Sequence, residues 1–170
     1  QVNAQVVTSN TLEMWQNYRQ GPVEWSFGSR VLDVVPHKKQ GMNAYYSRWE
    51  GSTNFFFQDS PELKTTVKTA NSLDVVAHET GHGILDGMKP GYLNTNDRET
   101  GAFHEAFGDC SAMLATLQDP AMRDKIIEQT GGDLSKPNAL AWLAEEFGKA
   151  RRLANDDPAD DDRAWLRNAH

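Results

Sequence analysis

The spacing of apolar positions divides the chain into two halves. Up to about residue 70 the apolar residues come in short, aromatic-rich stretches bounded by Gly, Pro and Ser. Val2 to Thr8 (VNAQVVT) suits a strand or an extended arm. Thr11 to Arg19 carries Leu12, Trp15 and Tyr18 on one face of a short helix, which Gly21-Pro22 punctuates. Ser29 to Val35 is β-like and Pro36 stops it. Asn43 to Trp49 and Thr53 to Gln58 flank Glu50-Gly51-Ser52 and read as neighbouring strands joined by a turn.

From residue 71 onward the period becomes helical. Asn71 or Ser72 caps a helix running to Asp86, with Gly87 ending it. A second helix is expected over Glu99–Leu117. A third starts at Asp119-Pro120, runs through Glu128 and closes at Gly131-Gly132. A fourth is expected from Asn138 to Leu153, with Ala139, Trp142, Leu143, Ala144, Glu146 and Phe147 forming its stripe. Asn155 to Asp162 reads as a solvated acidic loop, and Ala164 to His170 as a restarted helix. Strands first and helices afterwards predict an α+β fold: a mostly antiparallel N-terminal sheet packed on a helix, then a helical part. We expect a single domain over residues 1–170, with 1–70 strand-rich and 71–170 helical.

Composition narrows the partners. The 170 residues are 38% apolar and 24% charged, enough to bury one core. A net charge of −7 argues against a nucleic-acid or anionic-membrane partner, which call for a basic face. No apolar run approaches the roughly 18 residues of a membrane-spanning helix, so no membrane insertion is expected. Cys110 is the one cysteine, which excludes an internal disulfide and a Cys-rich zinc module. The chain opens on Gln1 rather than Met, which reads as a processed or excised form.

The chemistry concentrates in His78-Glu79-Thr80-Gly81-His82. Residues four apart share a helix face, so two imidazoles at this spacing can bind one zinc ion at about 2.0–2.1 Å each. Glu79, one step round, can reach a metal-bound water as general base. Gly81 and Gly83 each cost a helix about 1 kcal/mol relative to Ala, so something must approach that helix closely. A catalytic zinc usually has three protein ligands. Met88 stands where a third histidine of the metzincin kind would be, and Cys110 lies downstream rather than upstream. The next helix offers Glu105 and Asp109, four apart: Glu105 as third ligand, Asp109 as acceptor for the other ring N–H of a ligand histidine. His104 faces away from Glu105 and is expected to pack or to steady a ligand.

These motifs resemble those of the thermolysin-like gluzincin metallopeptidases. Leu73 to Glu79 is similar to that family's motif helix, Gly101 to Asp109 to its glutamate helix, and Asn43-Ala44-Tyr45-Tyr46 to its substrate-binding edge strand. The resemblance spans roughly Gly41 to Leu117. It implies a zincin-like fold, one catalytic Zn²⁺, a peptide or protein substrate and a secreted setting. It also implies that Asn43 and Ala44 pair with substrate backbone and that Tyr92 stands where the family has an oxyanion-assisting tyrosine. His104 replaces an asparagine and Gly108 a serine of the family pattern. Thr116 stands where a carboxylate would bind calcium, so calcium is not expected at the family's usual site. The family's C-terminal helical lobe and its oxyanion histidine find no match before His170, which implies a short or truncated member.

Two functions follow as expectations. The first is a zinc metallopeptidase using Glu79 as general base on a metal-activated water. The alternative is a zinc-binding, peptidase-like module with little or no activity.

Overall fold

The computed structural model describes residues 2–61, 64–94, 97–140, 142–143 and 167–168. The N-terminal 18 residues form one helix, α1 (Val2–Arg19), not an extended arm followed by a short helix. Its buried face is Ala4, Val7, Thr8, Thr11 and Met14, a helical spacing that two threonines disguise. Thr11 donates its hydroxyl to the Val7 carbonyl at 2.8 Å, so burying it leaves no polar atom unpaired. Tertiary burial of this stripe overrides the strand preference of Val2, Val6 and Val7. The helix stops where Gln20 takes a positive φ of 57° and Pro22 follows.

Three strands then form a sheet in the order β1-β3-β2, with β1 at Asp33–Val35, β2 at Ala44–Ser47 and β3 at Ser52–Phe55. β2 and β3 are the expected antiparallel hairpin, with Ala44 opposite Phe55 and Ser47 opposite Ser52. β1 runs parallel to β3. β2 is therefore an edge strand. A second hairpin, β4 (Phe57–Ser60) with β5 (Thr65–Lys68), was not legible in the apolar pattern.

A 3-10 turn at Thr69–Asn71 leads into α2 (Leu73–Met88), the central helix. Ser72 occupies the N-cap position but does not cap with its side chain. Asp74 does that work: its Oδ1 accepts the Val75 N–H at 2.9 Å, and its charge faces the positive end of the helix. Gly87 lies inside α2 rather than ending it; a Cβ there would run into the Glu24 carbonyl, so the close approach and not helix termination calls for glycine. A 3-10 segment, Pro90–Asn94, connects to α3 (Arg98–Gln118), whose N-cap Asp97 accepts from the Glu99 N–H. Asp119 and Pro120 open α4 (Pro120–Thr130), and Gly131 closes it in the left-handed conformation at φ 63°.

α2 is covered by α1 and α3 on one side and by the sheet on the other. Ala4 and Val7, Phe55, Val75 to Ala77 and Ala112 make the shared core. Each fully buried large side chain among them contributes about 1.5–3 kcal/mol. The expected fourth helix is not formed at Trp142–Leu143, which pairs antiparallel with Arg167–Asn168 as β6 and β7. That partner is a distant segment, which helical periodicity cannot anticipate. The restarted helix is likewise replaced by strand at Arg167–Asn168. The remainder of that stripe (Ala144, Glu146, Phe147) and the acidic loop lie outside the described residues. The architecture is α+β, and no described helix is long and apolar enough to cross a membrane.

Candidate metal centre

α2 aligns His78, His82 and Asp86 along one face, each four residues from the last. The two imidazoles stand at right angles, ring centroids 4.6 Å apart. Val75, Val76 and Ala77 bury the preceding turn, so the histidines emerge from apolar surroundings with side chains only 11% and 14% exposed. α3 packs across this face and supplies the carboxylates. Glu105 Oε2 lies 3.6 Å from His78 Nε2, and Glu105 Oε1 lies 3.6 Å from His82 Nε2. Asp109 Oδ1 is 2.9 Å from His78 Nδ1.

These distances test the residues against a zinc ion. Ligand bonds of about 2.0–2.1 Å at tetrahedral angles set donor atoms roughly 3.4 Å apart. Each Nε2 stands 3.6 Å from one Glu105 oxygen, within a few tenths of an ångström of that spacing. The Asp109 carboxylate takes the N–H at His78 Nδ1, which leaves the Nε2 lone pair directed at Glu105. Glu79 is 8% exposed and also lies close, since it, His78 and His82 each bring a ligand atom within 4.8 Å of the others. Two carboxylates thus compete for one ligand position. Glu105 meets both Nε2 atoms across the cleft, whereas Glu79 follows His78 directly in α2, a position suited to a neighbouring water. The donor set of two imidazoles and a carboxylate fits zinc.

Close approaches from two sides explain the glycines: α3 packs on α2 at Gly81, and the Tyr46 ring of β2 packs on it at Gly83. A Cβ at Gly81 would meet Ser111 Oγ at 2.6 Å and Gly108 Cα at 3.2 Å, and one at Gly83 would meet the Tyr46 ring at 3.2 Å. Gly108 lies against the His78 ring. α1 holds α3 from behind: Trp15 donates its Nε1–H to Ser111 Oγ at 2.9 Å and stacks on Phe107 at 4.4 Å.

His104 faces the metal helix from α3. Its Nδ1 is 3.4 Å from His82 Nδ1, a contact that needs one donor and one acceptor. Burial above all pushes the His104 imidazole below the ordinary histidine range, while Asp86 and Glu105 pull it upward. A neutral His104 can accept the His82 N–H. Among the described residues its buried Nε2 has no hydrogen-bond partner.

A cleft of about 480 Å³ runs along this face, with Asn43 to Tyr46, Tyr92, Leu93 and His104 among its walls. Asn43, Ala44 and Tyr92 are thus brought to the same cleft as the metal cluster. The Asn43 carbonyl is occupied, accepting from the Phe56 N–H and the Thr69 hydroxyl at 3.1 Å each. Backbone groups alternate sides along a strand, so Ala44 and Tyr46 turn theirs to the free edge. Along β2 it is therefore Ala44, and not the Asn43 carbonyl, that presents backbone groups at the free edge. Sequence reasoning missed Asp86 as a member of this site, although its spacing from His82 was visible.

A helix bearing paired histidines beneath an edge strand, with a carboxylate helix across the cleft, belongs to the metallopeptidase class. The family model described as thermolysin metallopeptidase, catalytic domain, matches residues 1–86, and the chain belongs to that family. The matched span takes in α1, β1 to β5 and α2 through Asp86; Glu105 and Asp109 lie beyond it. No curated protein and no solved structure matches the chain.

Proposed function

We propose that the chain is a zinc-dependent peptidase in which His78, His82 and Glu105 hold one zinc ion and Glu79 is general base. The observation that carries this reading is the convergence of both Nε2 atoms on one carboxylate at 3.6 Å each. Residues 1–170 are read as one zincin-like catalytic domain.

Zinc bound there supplies a water of lowered pKa and polarises the scissile carbonyl. Glu79 removes the proton from the attacking water and passes it to the leaving amine. Asp109 fixes the His78 ring in the tautomer whose Nε2 carries the coordinating lone pair. The free edge of β2 binds the peptide backbone as an added strand, with Ala44 making the contact nearest the metal cluster. Tyr92 donates its hydroxyl to the carbonyl oxygen as negative charge develops on it.

The test combines zinc content by elemental analysis with turnover of a quenched-fluorescent peptide, with and without chelator. The expected result is one zinc per chain and chelator-sensitive cleavage. Glu79→Gln should keep its zinc and lose about 10²- to 10⁴-fold in turnover. Cleavage at the parent's rate by that variant would remove Glu79 from the mechanism. Stoichiometric zinc without cleavage in the parent would instead favour the binding-module alternative.

A further inference from the structure

Asp86 is fully buried, yet it is ionisable and has no part in the chemistry above. Four donated hydrogen bonds converge on its carboxylate from three positions outside its own helix. Tyr46 donates its hydroxyl to Oδ2 at 2.8 Å. Arg48 grips both oxygens, with Nε 2.9 Å from Oδ2 and Nη2 on Oδ1. Ser26, from the loop after α1, donates its hydroxyl to Oδ2. Arg48 also donates to the Pro90 carbonyl at 2.5 Å, at the start of the segment that carries Tyr92.

One carboxylate thus ties together three of the elements that line the cleft, β2, α2 and, through Arg48, the Pro90–Asn94 segment. Tyr46 belongs to β2, the edge strand, and its ring lies against Gly83, where a Cβ would come within 3.2 Å. Arg48 begins the β2–β3 turn. Asp86 itself stands one helical turn beyond His82 on the metal-bearing face of α2. A bidentate guanidinium–carboxylate pair fixes angle as well as distance, which a single hydrogen bond does not. An edge strand bound along one side only needs such an anchor if its free edge is to sit at a constant height above the metal cluster.

Resting on the peptidase reading, we propose that Asp86 is a positioning residue that locks the substrate-binding strand and the Tyr92 segment onto the metal helix. It touches neither metal nor substrate. Its effect should appear in the binding of peptide backbone and not in the binding of zinc.

Two probes separate these effects in the zinc-loaded protein: acetohydroxamate, which engages only the metal, and a peptide hydroxamate, which also lies along β2. Tyr46→Phe keeps the ring and removes one tether. It should weaken the peptide hydroxamate about tenfold, while acetohydroxamate and zinc affinity stay within about twofold. Asp86→Asn should widen that gap. Tyr46→Phe serves where Asp86→Asn fails to fold. Equal weakening of both probes would place Asp86 in the support of the metal helix alone and overturn the proposal. No change with either probe would overturn it as well. A parent that binds neither hydroxamate would mark failure of the peptidase reading itself. A parent that binds acetohydroxamate but not the peptide form would overturn the role of the strand.

Discussion

Gly108 lies directly beneath the imidazole of His78: a Cβ on Gly108 would come within 2.7–2.9 Å of Cε1, Nδ1 and Nε2 of that ring. The ring cannot simply swing aside, because Asp109 holds its Nδ1 at 2.9 Å. Helix propensity and packing therefore oppose each other at this position. Gly→Ala in a helix interior is worth about 1 kcal/mol in favour of Ala, but here the methyl would drive His78 off its carboxylate. We predict that Gly108→Ala lowers zinc affinity by at least about tenfold and does not raise the melting temperature of the metal-free chain. Chelator-competition titration and thermal unfolding measure both. A stabilised variant with unchanged zinc affinity would show that the ring has room.

Asp109 is predicted to act through His78 alone. Asp109→Ala removes the acceptor at Nδ1 and frees the ring to rotate and change tautomer. Zinc affinity should fall by about 10- to 100-fold, with little change in fold because the side chain is partly exposed at 26%. Asp109→Asn should recover only part of the loss, since an amide accepts the N–H but carries no charge. Equal zinc dissociation constants for parent and Asp109→Ala would contradict the assignment.

How much of this was legible in the sequence depended on the range of the interactions. α2, α3 and α4 follow from apolar period, and α4 also from the end signals Pro120 and Gly131, all local. His78 and His82 share a face by helix geometry alone. Glu105 and Asp109 could be paired with them because one long helix follows another, and two such helices joined by a short segment pack together. α1 was misread because buried Thr8 and Thr11 interrupt its apolar stripe. The Asp86 cluster was invisible for a different reason. Its donors at 26, 46 and 48 lie far away in sequence and need the hairpin, the loop after α1 and α2 assembled first. Register between distant segments is not written in local periodicity.

Asp86 also sets an expectation for pH. Burial pushes its carboxyl upward, but the hydrogen bonds from Arg48, Ser26 and Tyr46 and the Arg48 charge outweigh that and hold it below the ordinary aspartate range. A carboxyl whose folded pKa is depressed binds protons more readily in the unfolded chain. Its stabilising contribution is complete above the unfolded value of about 3.9 and is lost as pH falls toward the folded value. Removing one partner of a buried ion pair costs about 3–5 kcal/mol. Asp86→Asn should therefore be less stable near neutrality, and its deficit against the parent should shrink below about pH 4. Urea midpoints at several pH values measure this. A deficit that stayed constant into acid would mean the ionised form of Asp86 adds nothing.

Tyr92 lines the cleft from the Pro90–Asn94 segment, its ring edge-on to Phe103 at 5.9 Å and 41% exposed. Phe103 fixes the ring and Arg48 tethers the segment at Pro90, so the hydroxyl is presented from a supported position. Tyr92→Phe keeps the aromatic contact and deletes only the hydroxyl, which separates donation from packing. If the hydroxyl donates only to the developing oxyanion, kcat should fall while KM and zinc content hold, because the interaction would be absent from the ground state. The loss of one such donor costs about 10²- to 10³-fold. Partial exposure argues for the lower end, since water can take the place of a missing donor in an open cleft. A rise in KM at constant kcat would make Tyr92 a ground-state binding contact. Unchanged kinetics would remove it from the site and turn the search for the donor to the other polar groups of the cleft, His104 first, since its Nε2 is buried without a partner among the described residues.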